Sequence, residues 1–224
     1  MKTAVIIPAA GTGTRMGAVK QLILLDSIPV LARTIEAFEY HDEVNEIILA
    51  APENVAEAIQ PYRFKKLTAI VEGGPHRQAS VWAGLNALSP DTAGVLIHDG
   101  ARPLVTQKAI SDVLTCVRRG LCAISGVKSK DTIKITGENN IIRHTPNRDN
   151  IWLVQTPQGF PYHLIKEAHQ KAIADGFVGT DDAMLVERLG TTVRMVEGDY
   201  RNIKLTTPDD IHMAEALLHN ERYK

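Results

Sequence analysis

A chain of 224 residues with 44% hydrophobic and 23% charged content has globular proportions and length enough for a sizeable core, which excludes a disordered chain. Its formal net charge of −1 gives no global basic field, so nucleic acid is not an expected partner and any polyanion site must be local. No signal-peptide pattern or bilayer-length apolar run is visible, and Cys116 and Cys122 match no metal spacing, so no membrane partner is expected and the expected location is a reducing cytoplasm.

Strand-like apolar runs alternate with helical patterns along the chain, the mark of βαβ units on a mostly parallel sheet. Residues 3–7 (TAVII) have the length and β-branched content of a buried parallel strand. They break into Pro8 to Gln21, PAAGTGTRMGAVKQ, where small residues let a backbone approach a ligand and Arg15 and Lys20 add fixed positive charge. Turned-in N–H groups beside cations suit phosphate. The dinucleotide fingerprint would need glycine at Met16, one residue before Gly17, and the Gly-Lys-Ser/Thr of a P-loop is missing, so neither reading is favoured.

Residues 22–25 are apolar, and Pro29 opens a predicted helix through 38. Strands follow at 46–51 and 67–71, with a short helix at 53–59 between them. Next come a helix over 76–88, a strand at 94–98, a helix over 107–119 and a strand at 122–127. Residues 130–155 break the alternation: short β-type segments at 132–135 and 141–144 flank the turn-rich Gly137-Glu138-Asn139-Asn140. That pattern predicts a hairpin arm, packed on a second subunit or folded over its own domain. Helices return at 162–174 and 181–189, strands at 191–196 and 202–205, and a last helix at 208–218 that Thr207 or Asp209 could cap.

Four further stretches bear on chemistry. Gly74 and Ser80 follow the third strand, where a loop can reach a nucleobase edge, although ordinary turn residues at a helix start read the same way. Asp99 and Arg102 end the fourth strand, and ligands collect at the carboxyl ends of strands in open sheets. Asp99 can bind a hydroxyl or a hydrated Mg²⁺, and Arg102 can pair with Asp99 or with phosphate, while His98 reads as a packed strand residue. Thr180 suits a helix N-cap with Asp181 and Asp182 in the first turn, a structural role as good as a functional one. Lys204 sits between Ile203 and Leu205, where an ammonium needs an anion, and phosphate is a good candidate.

The run AAGTGTRMG…KQ resembles the signature loop of nucleotidyltransferases that join a nucleoside triphosphate to a sugar or alditol phosphate. GG…RQ-SV, HDGARP, KDTIK, QTPQ, TD-A and NIK-T-P-D narrow the resemblance to the 2-C-methyl-D-erythritol 4-phosphate cytidylyltransferase family, from Ala9 to Asp210. It implies a single Rossmann-like α/β domain over residues 1–224 with a dimerising β-arm at about 130–155. It also implies CTP held by Pro8, Ala9, Ala10, Gly11, Gly13, Gly74, Ser80, Asp99, Gly100 and Ala101. Arg15, Lys20, Arg148 and Lys204 are the implied catalytic cations. The alditol phosphate falls to Asp99, Arg102, Thr132, Arg148, Thr156, Thr180 and Lys204, with Asp182 beside them and with Thr132 and Arg148 reaching in from the neighbouring subunit of a homodimer. Mg²⁺ is the implied cofactor, held mainly by CTP phosphates with Asp99 as a further ligand. The chain carries Pro75 where many relatives have a polar residue, and Lys128 where many have proline. A ribitol 5-phosphate cytidylyltransferase or a non-catalytic nucleotide-binding module are the competing readings of the same fold.

Overall fold

The structure, a computed structural model, describes residues 1–11 and 19–219, with Lys20 described by its backbone alone. Strand β1 (Thr3–Pro8) lies between β6 (Gly94–Ile97) and β4 (Glu46–Ala50), parallel to both, and β5 (Leu67–Val71) extends the sheet beyond β4. The full order is β5, β4, β1, β6, β10 (Trp152–Pro161), β7 (Cys122–Lys128) and β11 (Val193–Glu197). Only β10 runs antiparallel to its neighbours, so the sheet is mostly parallel, as expected.

Burial on both faces explains the uninterrupted apolar runs. Alternate side chains of a strand point to opposite faces. Accordingly Val5 and Ile7 join α1 (Val30–Glu39), α2 (Glu53–Ile59) and α4 (Gln107–Arg118) in one core layer. Ala4 and Ile6 join α3 (Arg77–Asn86), α5 (Tyr162–Ala174) and α6 (Asp182–Glu187) in the other. Each fully buried leucine or isoleucine contributes about 1.5–3 kcal/mol. A Cβ on Gly84 would stand 2.5 Å from Ile6 Cγ2, so glycine there lets α3 lie against β1.

After β5 the chain crosses to the far side of β1 to form β6. The carboxyl ends of β1 and β6 therefore flank the point where the winding reverses, which is where such sheets bind ligands.

Several local expectations are corrected. Residues 24–29 form a small hairpin, β2 (Leu24–Leu25) with β3 (Ile28–Pro29), that the apolar run did not show, while Pro29 opens α1 from its N-cap, as expected. The arm is a real hairpin, but its strands are short: β8 (Ile135–Thr136) pairs with β9 (Ile142–His144), and Trp152 onward already belongs to the main sheet. Residues 202–205 form no strand; the segment is held because Leu205 N–H donates to Ala101 O at 2.9 Å. Helix α7 (Pro208–His219) follows, and Asp210 reaches back to accept the Thr206 and Thr207 N–H groups, so the acid three residues into the start supplies the cap bonds in place of Asp209.

Candidate functional site

Two cavities open at the carboxyl ends of β1 and β6. The first is walled by Pro8, Ala10 and Gly11 from the end of β1, by Gly74 and Ser80 across it, and by Asp99, Gly100 and Ala101 from the end of β6. The amide of Gln21 braces this wall, donating to Ala9 O at 2.7 Å and to Gly11 O at 2.9 Å. A Cβ on Gly73 would meet Ala10 Cβ at 2.1 Å, and one on Gly74 would meet Ala79 Cβ at 2.4 Å; both glycines are required by close approach. Ser80 Oγ accepts the Gly74 N–H at 3.0 Å and faces His76 O at 3.3 Å, so its hydroxyl holds the turn that carries Gly74. Gly13, Gly17 and Arg15 lie outside the described residues, as does the Lys20 side chain.

The second cavity lies beside the first and is lined by Arg102, Val154, Gln155, Thr156, Gln158, Thr180 and Asp181. Arg77, Asp99 and Lys204 line both and form the wall between them. Asp99 Oδ1 receives Arg77 Nε at 2.9 Å, and its Oδ2 faces Lys204 Nζ at 2.8 Å and Arg102 Nε at 3.7 Å. Burial alone would raise the Asp99 pKa, but Arg77 and Lys204 outweigh it and hold the carboxyl well below the usual carboxylate range. The anion that Lys204 needs is thus Asp99 in the free protein. Arg102 takes more than one partner: it donates to Asn202 O at 2.7 Å, and burial lowers its pKa. Asn202 Nδ2 donates to Thr156 O at 2.8 Å, tying the segment that carries Lys204 to the second cavity.

His98 is a packed residue, as expected. It is fully buried against Phe38 with ring centroids 4.8 Å apart. Arg102 O can only accept, so His98 Nε2 donates to it at 3.1 Å; Nδ1 of the neutral ring then accepts from Thr156 Oγ1 at 3.0 Å, and that hydroxyl oxygen accepts the Asp99 N–H at 3.1 Å. Both ring nitrogens are committed in the neutral form, and burial pushes the pKa down to about 4.

A pH dependence of stability follows. Between about 4 and the ordinary 6.5, the unfolded chain binds a proton that the folded His98 does not, so unfolding free energy falls as pH drops through that window. His41, lowered by burial, acts in the same direction. Between pH 7 and 5 the expected loss from His98 is about 2 kcal/mol, read by urea denaturation at the two pH values. Equal stability at both would contradict the neutral, fully bonded ring.

Several site features escape a reading of the sequence. Arg77 bridges Asp99 and Asp182, its Nη1 lying 2.6 Å from Asp182 Oδ2. Burial lowers the Arg77 pKa, but the two carboxylates more than reverse this and raise it above its ordinary value. The α6 N-cap is Asp181, not Thr180: Asp181 Oδ1 accepts the Met184 N–H at 3.0 Å, while Thr180 lines the second cavity. Gln158 Nε2 donates to Asp181 Oδ2 at 2.8 Å, and its Oε1 accepts the Asp182 N–H at 3.0 Å. Thr132 and Arg148 line neither cavity; both are exposed at the arm, where Arg148 donates to Lys130 O at 3.0 Å. Among the described residues, no cluster of three or more His, Cys, Asp or Glu side chains could cage a metal ion.

Comparison with known proteins points to one family. The family model described as 2-C-methyl-D-erythritol 4-phosphate cytidylyltransferase matches residues 3–220. The enzyme so named from Alkaliphilus oremlandii is 48% identical over 228 residues, covering 99% of this chain and 97% of that protein. One from Geobacter metallireducens is 47% identical over 224 residues, covering 95% and 96%. The crystal structure of 4-diphosphocytidyl-2C-methyl-D-erythritol synthase from Anaerococcus prevotii has a TM-score of 0.87 at 35% identity, covering 97% of this chain and 96% of that one.

Proposed function

The chain belongs to the 2-C-methyl-D-erythritol 4-phosphate cytidylyltransferase family, and from that membership we propose how its two cavities share the work. The enzyme is a nucleotidyltransferase of isoprenoid precursor synthesis. It joins CTP to 2-C-methyl-D-erythritol 4-phosphate, giving 4-diphosphocytidyl-2-C-methyl-D-erythritol and pyrophosphate. In our reading CTP occupies the first cavity and the alditol phosphate the second. The observation that carries it is the shared wall of Arg77, Asp99 and Lys204, which puts two cations where the attacking phosphate and the α-phosphate of CTP must meet.

The attacking oxygen belongs to a phosphate already ionised at neutral pH, so the reaction needs no general base. The commitment of both His98 nitrogens to protein partners supports this. What remains is in-line positioning and neutralisation of charge on the α-phosphate and the leaving pyrophosphate. Arg15 and Lys20 take the triphosphate. Lys204 exchanges Asp99 for the attacking phosphate; at 39% side-chain exposure it is the most open of the three cations around that carboxylate. Asp99 is the one carboxylate among the described residues lining the first cavity, and one carboxylate plus substrate phosphates is an ordinary Mg²⁺ environment. The triphosphate would hold most of the ion, with Asp99 as a single further ligand, and the ion would supply charge neutralisation.

The rest of the reading is a single nucleotidyltransferase domain whose arm works in a homodimer, in the cytoplasm. Exposed Ile135, Ile141, Ile142 and Leu153 on and beside the arm support an interface, and the free thiols Cys116 and Cys122 suit a reducing compartment. The position of Thr132 and Arg148 away from both cavities of their own chain supports their acting on a partner. If so, Arg148→Ala and Lys204→Ala enzymes, each nearly inactive alone, should regain about a quarter of wild-type activity after subunit exchange, because a mixed twofold dimer keeps one intact site. No recovery in a demonstrated heterodimer would place the arm in its own site.

The function is tested by pyrophosphate release with Mg²⁺, crossing CTP, UTP and ATP against methylerythritol phosphate and ribitol 5-phosphate. Release confined to CTP with methylerythritol phosphate is expected. Release with ribitol 5-phosphate instead would overturn the alditol assignment, and silence from a sample that still binds CTP would point to a binding module.

A further inference from the structure

Behind the shared wall, Arg77 leads to two buried polar groups that the reaction as described does not use, Asp182 and His169. Arg77 places Nε on Asp99 and Nη1 on Asp182. Two carboxylates on two nitrogens fix the plane of a guanidinium that would otherwise rotate on a flexible stem. Its Nη2 is enclosed and has no partner among the described residues, while the side chain as a whole, 26% exposed, lines both cavities. Asp182 is 1% exposed, and its Oδ1 stands 3.1 Å from Nε2 of the fully buried His169. Facing a carboxylate, that nitrogen carries the proton. The imidazole ring lies nearly parallel to Trp82, with centroids 6.2 Å apart and planes at 12°.

We propose that His169 and Asp182 are a positioning pair that sets the Arg77 guanidinium between the two cavities, where its charge neutralises the phosphoryl group in transfer. The inference rests on the division of the cavities given above. Neither His169 nor Asp182 touches substrate; both act through Arg77. An apolar residue would fill the His169 site as well as imidazole does. A buried carboxylate needs its donors, however, and a misplaced guanidinium costs rate without loosening the rest of the site.

Two substitutions separate positioning from packing. His169→Gln keeps a donor for Asp182 and loses the ring on Trp82, whereas His169→Phe keeps the ring and loses the donor. Positioning predicts that His169→Phe lowers kcat about tenfold with CTP affinity little changed, while His169→Gln stays within about threefold of wild type. The opposite order would assign His169 to packing and overturn the proposal. Should the phenylalanine variant fail to fold, a folded glutamine variant still decides: a tenfold loss sinks the idea, and near-normal turnover supports it. In an Arg77→Lys background, His169→Phe should add less than about a twofold further loss, because the effect passes through the guanidinium; equal factors in both backgrounds would contradict that route. Wild-type turnover of CTP with methylerythritol phosphate is measured alongside, so a failure of the reaction assignment is distinguishable from a failure of this pair.

Discussion

Arg77→Ala is expected to lose about 3 kcal/mol of unfolding free energy, the low end of the cost of breaking a buried ion pair from one side. The reason is what stays behind. Asp182 is 1% exposed and would keep His169 as its remaining side-chain partner. Asp99 suffers less, because Lys204 and Arg102 still face its Oδ2. The Arg77 side chain is 26% exposed, so solvent already screens the pair and keeps the loss at that low end. Arg77→Lys should recover only a fraction, since one ammonium cannot reproduce the two-sided fork. Urea denaturation at pH 7 measures both. A change below about 1 kcal/mol for Arg77→Ala would mean that water or a local shift replaces the guanidinium.

Arg15→Ala and Lys20→Ala are expected to do the reverse, lowering kcat by on the order of a hundredfold or more, about 3 kcal/mol each, with stability nearly unchanged. Both residues belong to the glycine loop that leaves β1, and the fold anchors that loop at both ends. Ala9 N–H donates to Ala50 O at 2.7 Å, and Gln21 returns to bond Ala9 and Gly11. On the division of cavities proposed above, removing either cation would deprive the triphosphate of charge while these anchors stay in place. Steady-state turnover beside a thermal melt separates the two effects. Wild-type rates in both variants would remove the loop from the chemistry.

Local pattern revealed most of the fold. Residues 3–7, 46–51 and 94–98 read as buried strands because both faces of a parallel strand are covered, leaving no polar alternation to confuse them. Strand β10 was invisible for the opposite reason. Its sequence contains Pro157, Gly159 and Pro161, which read as turn residues. The sheet accommodates them with a register shift against β7 between Val154 and Gln158.

Pro8, Ala10 and Gly11, Asp99 and Lys204 were legible as cavity-lining residues because each sits at a strand end or breaks an apolar run. Arg77 was not. In the sequence it is only the first residue of a helix, and its two partners lie 22 and 105 residues away. Gln158 and His169 were hidden in the same way, since a buried polar network is assembled by the tertiary fold and leaves no local period. Thr180 and Asp181 are both good N-cap residues, and only the backbone shows that the helix begins after the second.

In the proposed reaction a phosphate oxygen of the alditol phosphate displaces pyrophosphate directly from the α-phosphorus of CTP. Phosphorus NMR of the reaction, run with methylerythritol phosphate carrying heavy oxygen in its phosphate, follows that oxygen. All of the label should appear in the diphosphocytidyl product, with one unlabelled pyrophosphate for each molecule formed. Label in the pyrophosphate, or CMP accumulating beside unreacted alditol phosphate, would rule out direct displacement.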